Sequence, residues 1–150
     1  MTSSDQYQFV RELGAGAMGR VSLVRHQVSG QFFALKRMND HVAASGGARM
    51  RQEFRSLAQI NHKNVVRVFE FGEENQKPFL VMEYVQGQDM SEWIGTNPDF
   101  MTISHVFAAI SDGLSAVHAQ GLIHRDLKPE NIRITTDGQV KIMILDWLKC

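Results

Sequence analysis

From Tyr7 to Met38 apolar and polar residues alternate as they do along half-buried strands. Phe9, Val10 and Leu13 come first, Val21 and Leu23 follow, and after a Ser29-Gly30 turn comes the run Phe32-Phe33-Ala34-Leu35. Three antiparallel strands are predicted. A polar stretch from Asn39 to Gly47 follows, and then Met50, Phe54, Leu57 and Ile60 recur at helical spacing, which predicts one amphipathic helix ending near Asn61. Strands are expected at Val65–Phe71 and Phe79–Val85, on either side of the polar turn Glu73-Glu74-Asn75-Gln76. After Gln86-Gly87-Gln88 the period becomes helical. A short helix is expected around Met90, Trp93 and Ile94, and a long one along Ile103, Val106, Phe107, Ile110, Leu114 and Val117, with Thr102 as N-cap and Gly121 at C′. A strand at Ile132–Thr135, the turn Thr136-Asp137-Gly138 and a strand at Val140–Leu145 close the chain. This divides it into a sheet-and-helix segment, 1–85, and a mainly helical segment, 86–150.

Composition narrows the class. A chain of 150 residues, 43% of them hydrophobic, supports one domain, or one lobe and part of a second. Sixteen basic and sixteen acidic residues cancel, so no global field draws it to nucleic acid or to an anionic membrane, and neither is expected as a partner. The only cysteine is Cys150, so no internal disulfide can form. The six histidines, His26, His41, His62, His105, His118 and His124, have no Cys or His partners at metal-ligand spacing, and a zinc site is not expected. The first residues carry no signal-peptide pattern and no apolar run is judged to approach the roughly 18 residues of a bilayer span, so a cytoplasmic location is expected.

Three features carry chemistry. Gly14-Ala15-Gly16-Ala17-Met18-Gly19-Arg20-Val21 is a G-x-G-x-x-G-x-V stretch whose bare glycines let backbone N–H groups approach phosphate oxygens. A dinucleotide-binding unit would need a helix after the third glycine, whereas Val21-Ser22-Leu23-Val24 is strand-like, so a glycine-rich hairpin over a nucleotide is favoured over that reading and over a plain tight hairpin. Lys36 ends the strand Phe33-Ala34-Leu35-Lys36. A lysine there is commonly just a solvated strand end, but Glu53 lies on a helix whose apolar positions turn it toward the sheet, where it can pair with Lys36. Third, His124-Arg125-Asp126-Leu127-Lys128-Pro129-Glu130-Asn131 sets a carboxylate, an ammonium and an amide at offsets of two and five. Phosphoryl transfer needs an acceptor for the hydroxyl proton, cations on the phosphates and oxygen ligands for Mg²⁺, and Asp126, Lys128 and Asn131 supply them in turn. A charged surface loop is the bland alternative.

With these residues in view the chain resembles a eukaryotic-type serine/threonine protein kinase over residues 7 to 143. The resemblance implies an α+β, protein-kinase-like fold: a five-stranded antiparallel N-lobe sheet with one main helix, then the first part of a helical C-lobe. It implies ATP and Mg²⁺ as cofactors and a protein bearing a Ser or Thr acceptor as substrate. Gly14, Ala15, Gly16 and Gly19 are similar to the phosphate-covering loop, Val21 and Ala34 to the residues that sandwich adenine, Lys36 to the lysine on the α- and β-phosphates and Glu53 to its helix partner. Met82 falls at the gatekeeper position, with Glu83, Tyr84 and Val85 as the hinge. Asp126 resembles the catalytic base, Lys128 the charge stabiliser and Asn131 a Mg²⁺ ligand. Lys128 within Asp-Leu-Lys-Pro-Glu-Asn looks like the Ser/Thr-directed subgroup, and Met18 is similar to many bacterial members.

The pattern breaks at the end. The family places Asp-Phe-Gly about eighteen residues after the base, its aspartate holding Mg²⁺. Counting from Asp126 reaches Ile144, in Met143-Ile144-Leu145-Asp146-Trp147-Leu148-Lys149-Cys150. Asp146 could substitute only through a two-residue strand slip, roughly 6–7 Å along the chain. A one-nucleotide frameshift after Met143 would account for the tail 144–150: if that tail were encoded ATT-TTG-GAT-TGG-CTA-AAA-TGC, one G inserted ahead of it would yield Asp-Phe-Gly-Leu-Ala-Lys-Met, and the coding DNA decides it. The activation segment and substrate-binding helices that follow in the family are expected to be missing, leaving the Ile103–Val117 stripe partly uncovered. Three functions remain open: a kinase impaired by truncation, a pseudokinase-like nucleotide-binding module, and a non-functional frameshifted fragment.

Overall fold

The computed structural model describes residues 4–15, 19–39, 51–52, 54–122 and 127–143. Its described residues fall into two compact units, one built from those up to Ala58 together with Val68–Tyr84, the other from Gln59–Arg67 and those from Val85 to Met143.

The first unit holds five strands, β1 (Tyr7–Ala15), β2 (Gly19–His26), β3 (Phe32–Met38), β4 (Val68–Glu74) and β5 (Lys77–Glu83). They form one antiparallel sheet in the order β1-β2-β3-β5-β4. The register is regular in the three central strands and shifts in the two edge strands, between Phe9 and Arg11, Glu12 and Gly14, and Val68 and Glu70. Bulges bend and twist a strand. Their result is a coiled sheet: the Tyr7 hydroxyl on one edge strand donates a 2.7 Å hydrogen bond to Glu70 Oε2 on the other. Val24, Leu35, Phe79 and Val81 pack on the face this clasp crosses, with Tyr7 and Phe33 against them. Phe33 stands edge-on to both Tyr7 and Phe69, at 5.9 and 5.2 Å between centroids. Burial and the neighbouring Glu70 carboxyl push the Tyr7 hydroxyl pKa well above its ordinary value.

Residues 51–52 and 54–58 form helix α1. Its Phe54 ring lies 5.5 Å from Phe71 of β4, and Leu57 is buried. The helix stops at Ala58 rather than near Asn61. The expected strand Val65–Phe71 also begins later, at Val68, because the preceding residues bond elsewhere: Val65 bridges Ile142 in parallel, and Val66 N–H donates to the Ile142 carbonyl.

The second unit contains the two-residue strand β6 (Gln88–Asp89), helices α2 (Met90–Ile94) and α3 (Phe100–Ala119), and the hairpin β7 (Ile132–Ile134) and β8 (Val140–Ile142), in a three-stranded sheet ordered β6-β7-β8. Met90, Trp93, Val106, Ile110, Ile132, Ile134, Val140 and Ile142 make its core. The N-cap of α3 is Asp99, three residues before the expected Thr102, whose N–H it accepts at 2.8 Å. Gly121, at φ +73°, takes the left-handed position after the helix as expected. By length and apolar composition the 20 residues of α3 would suffice to cross a bilayer, which corrects the expectation that no run came near that length. Its Val106, Ile110, Gly113 and Val117 are buried instead against protein, Gly113 closely against Asn64 and Ile142.

Candidate functional site

Side chains of directly paired residues share a face of a sheet. Gly14 pairs with Val21, Val21 with Lys36 and Lys36 with Leu80, while Leu23 pairs with Ala34 and Ala34 with Met82. One face therefore carries Gly14, Val21, Ala34, Lys36 and Met82, opposite the Phe79 and Val81 core. Phe71, paired with Leu80, belongs to the same face, so α1 covers its far end. Lys36 is only 5% exposed. A buried ammonium is tolerated where acceptors surround it, and Lys36 is engaged by a neighbouring group. Ala34 and Met82 are buried too, giving the strip beside the lysine an apolar floor.

Gly19 meets a second demand besides phosphate approach. It pairs with Met38, and a side chain on it would run into the Arg37 carbonyl oxygen, so only glycine lets β2 and β3 come this close. Ala15 ends β1 opposite Arg20. Glu83 is half-buried opposite Phe33, and Val85 is buried at the start of the second unit's long segment. Gly16, Glu53 and Asp126 lie outside the described residues.

In the second unit Lys128 precedes a 3₁₀ turn, Pro129–Asn131. Proline suits the first position of such a turn because it has no N–H to satisfy. Asn131 N–H donates to the Lys128 carbonyl at 2.9 Å, and the Asn131 carbonyl accepts from Met143 N–H at 2.7 Å. Asn131 is buried and takes part in a further interaction. Beside it, Asn64 fixes β8: its Nδ2 donates to the Val140 carbonyl at 2.9 Å, and its own carbonyl accepts from Ile142 N–H at 2.8 Å. Nothing in the apolar pattern pointed to Asn64, because its partners lie far along the chain. Among the described residues no three His, Cys, Asp or Glu side chains come together to hold an ion.

The protein kinase domain family matches residues 7–147. The serine/threonine-protein kinase Pkn1 of Myxococcus xanthus is 36% identical over 128 residues, covering 84% of this chain and 18% of that protein. The cAMP-dependent protein kinase type 3 of Saccharomyces cerevisiae is 32% identical over 144 residues, 93% of this chain and 36% of that protein. The chain thus spans well under half the length of these relatives. In structure it is similar to the PknI kinase domain of Mycobacterium tuberculosis, with a TM-score of 0.77 and 30% identity over 95% of this chain and 60% of that one. With the sheet, the helices and the residue pattern in agreement with these matches, the chain belongs to the protein kinase domain family, among relatives that are bacterial and eukaryotic serine/threonine kinases.

Proposed function

We propose that this chain is the nucleotide-handling part of an ATP-dependent serine/threonine protein kinase domain, one that moves the γ-phosphoryl of ATP to a Ser or Thr hydroxyl of a protein. The observation that supports this most is the shared sheet face on which glycine hairpin, buried Lys36 and apolar strip occur together. On this reading Val21, Ala34 and Met82 receive the adenine, and the backbone of Glu83 and Val85 bonds its polar edge. Hairpin N–H groups and Lys36, held by Glu53, take the phosphates. Asp126 accepts the proton of the attacking hydroxyl, and Lys128 offsets charge developing on the transferred group. A cytoplasmic location, where ATP is at hand, is part of this proposal.

A second reading, nucleotide binding without turnover, is favoured by one feature of the sequence: Ile144 stands where the family carries an aspartate. Thermal unfolding with increasing ATP separates these from a functionless fragment. A bound nucleotide at about 100 times its Kd stabilises the fold by about 2.7 kcal/mol. Lys36→Met is expected to abolish that shift. Asp126→Asn is expected to retain it while removing whatever phosphate transfer the chain performs. An unchanged unfolding temperature at saturating ATP would sink both nucleotide readings.

A further inference from the structure

We infer, resting on the nucleotide site proposed above, that Arg133 is a positioning residue for the nucleotide: its guanidinium holds the Gly87 carbonyl and so fixes the direction in which the backbone of Val85 meets the purine edge. Arg133, Gly87 and Val85 all belong to the second unit.

The course of the chain after Val85 turns on a glycine. Gln88 and Asp89 are tied down as β6, opposite Ile134 and Arg133, and Asp89 also caps α2. Gly87 comes just before them, where a Cβ would run into the Ile134 carbonyl oxygen and crowd Thr135 Cα. Packing therefore admits no side chain at this position. A residue without one leaves its own peptide the freest to rotate. That freedom sits two residues from Val85, so the direction that β6 imposes is lost before it reaches Val85 unless a further bond holds the Gly87 peptide.

Arg133 supplies that bond. Its Nη2 donates to the Gly87 carbonyl at 2.6 Å, as short as charge-assisted hydrogen bonds are. Ile132 and Ile134, on either side of it, belong to the core of the unit, so the period of two turns Arg133 to the other face of the small sheet. The strand pairing does not call for an arginine there. Lys141 stands directly opposite on β8, a like charge that disfavours the pair. Asp89 stands opposite on β6, but its carboxylate is taken up by the Ser91 hydroxyl and the Glu92 N–H, at 2.5 and 2.9 Å. Among the described residues Arg133 makes no ion pair, and its Nε is buried without an acceptor. The Gly87 carbonyl is thus the one acceptor the described residues give this guanidinium. With the bond removed, the Gly87 peptide samples several directions, and the apparent affinity for nucleotide falls with the fraction of time that Val85 is correctly presented.

Calorimetric titration of the 150-residue chain with ATP, together with ¹⁵N relaxation of the chain without it, tests this in two variants. Arg133→Met keeps the apolar stem and loses every donor, whereas Arg133→Lys keeps a charged donor. Arg133→Met is expected to bind ATP about tenfold more weakly, the loss that one charged hydrogen bond accounts for. Its backbone order parameters at Gln86 and Gly87 are expected to fall from about 0.85 to below about 0.6, while that of Ile142 keeps its value. Arg133→Lys is expected to recover part of both. Unchanged ATP affinity in Arg133→Met would overturn the inference and leave the nucleotide site standing. So would weaker binding with the order at Gly87 unaltered, or an equal fall at Ile142, which marks a general loosening of the unit. Absence of ATP binding by the unaltered chain would overturn the nucleotide site itself, and this inference with it.

Discussion

Tyr7 and Glu70 are 63 residues apart and neither stood out in the sequence, yet their hydrogen bond joins the two edge strands. No local pattern encodes such a pair, because it depends on how far the bulges coil the sheet. By contrast Gly14, Val21, Ala34, Lys36 and Met82 were legible, since a period of two along each strand settles which residues share a face. The clasp has a measurable worth. Glu70 Oε1 is already buried without a partner, so Tyr7→Phe leaves the whole half-buried carboxyl unbonded. The expected cost is about 1–3 kcal/mol in chemical denaturation. Combining Tyr7→Phe with Glu70→Leu is expected to cost less than the single change, because it removes the orphaned group as well as its donor. Equal losses in the two variants would show that the orphaned carboxyl costs nothing, and no loss in Tyr7→Phe that the bond contributes nothing.

At the scale of elements, misplaced boundaries have physical causes. The start of α3 was read from its apolar stripe, which begins at Ile103, but its first turn is Phe100 and Met101, 80% and 64% exposed, and carries no core signal. The cap is electrostatic. The Asp99 carboxylate accepts from Thr102, and that of Asp89 from Ser91 and Glu92 at the start of α2, so both pKa values are lowered. The unfolded value is about 3.9. A depressed folded value means stability that is present in full above the unfolded value and lost as pH falls through the folded one. Unfolding free energy is thus expected to decline below about pH 4, and Asp89→Asn with Asp99→Asn, which retains a capping oxygen without a titrating group, is expected to flatten that decline. An unchanged slope between pH 5 and pH 3 would dismiss the caps as its source. Gly113 sets two effects against each other. Alanine favours a helix over glycine by about 1 kcal/mol, but its Cβ would meet the Asn64 carbonyl oxygen and Ile142 Cδ1, each at 2.8 Å. Overpacking costs about 1–3 kcal/mol. Gly113→Ala is therefore expected to lose about 1 kcal/mol net in denaturant melts, and a gain would mean that β8 yields easily.

Across the whole molecule, the family and the five-stranded sheet were readable because glycine spacing, strand alternation and the Asp126–Asn131 string agree with one another. What sequence could not reveal was which unit the residues before β4 join. An apolar run such as Val65-Val66 suits any strand edge, and its hydrogen bonds to Ile142 follow from tertiary packing alone. The length of α3 bears on events before any packing exists. Translocation machinery meets α3 as an extended, unpartnered segment and judges it by its residues, not by the core it later joins. Near its middle lies Asp112, exposed in the finished fold and without an ion pair among the described residues. An aspartate at the centre of an inserting helix costs about 2.5–3.5 kcal/mol. On that figure a single carboxylate weighs against insertion of a borderline segment. Asp112→Leu leaves the buried stripe untouched, so the variant is expected to fold normally once released yet to appear in the membrane fraction during synthesis, and an unaltered distribution between fractions would show that the other polar residues of α3 suffice.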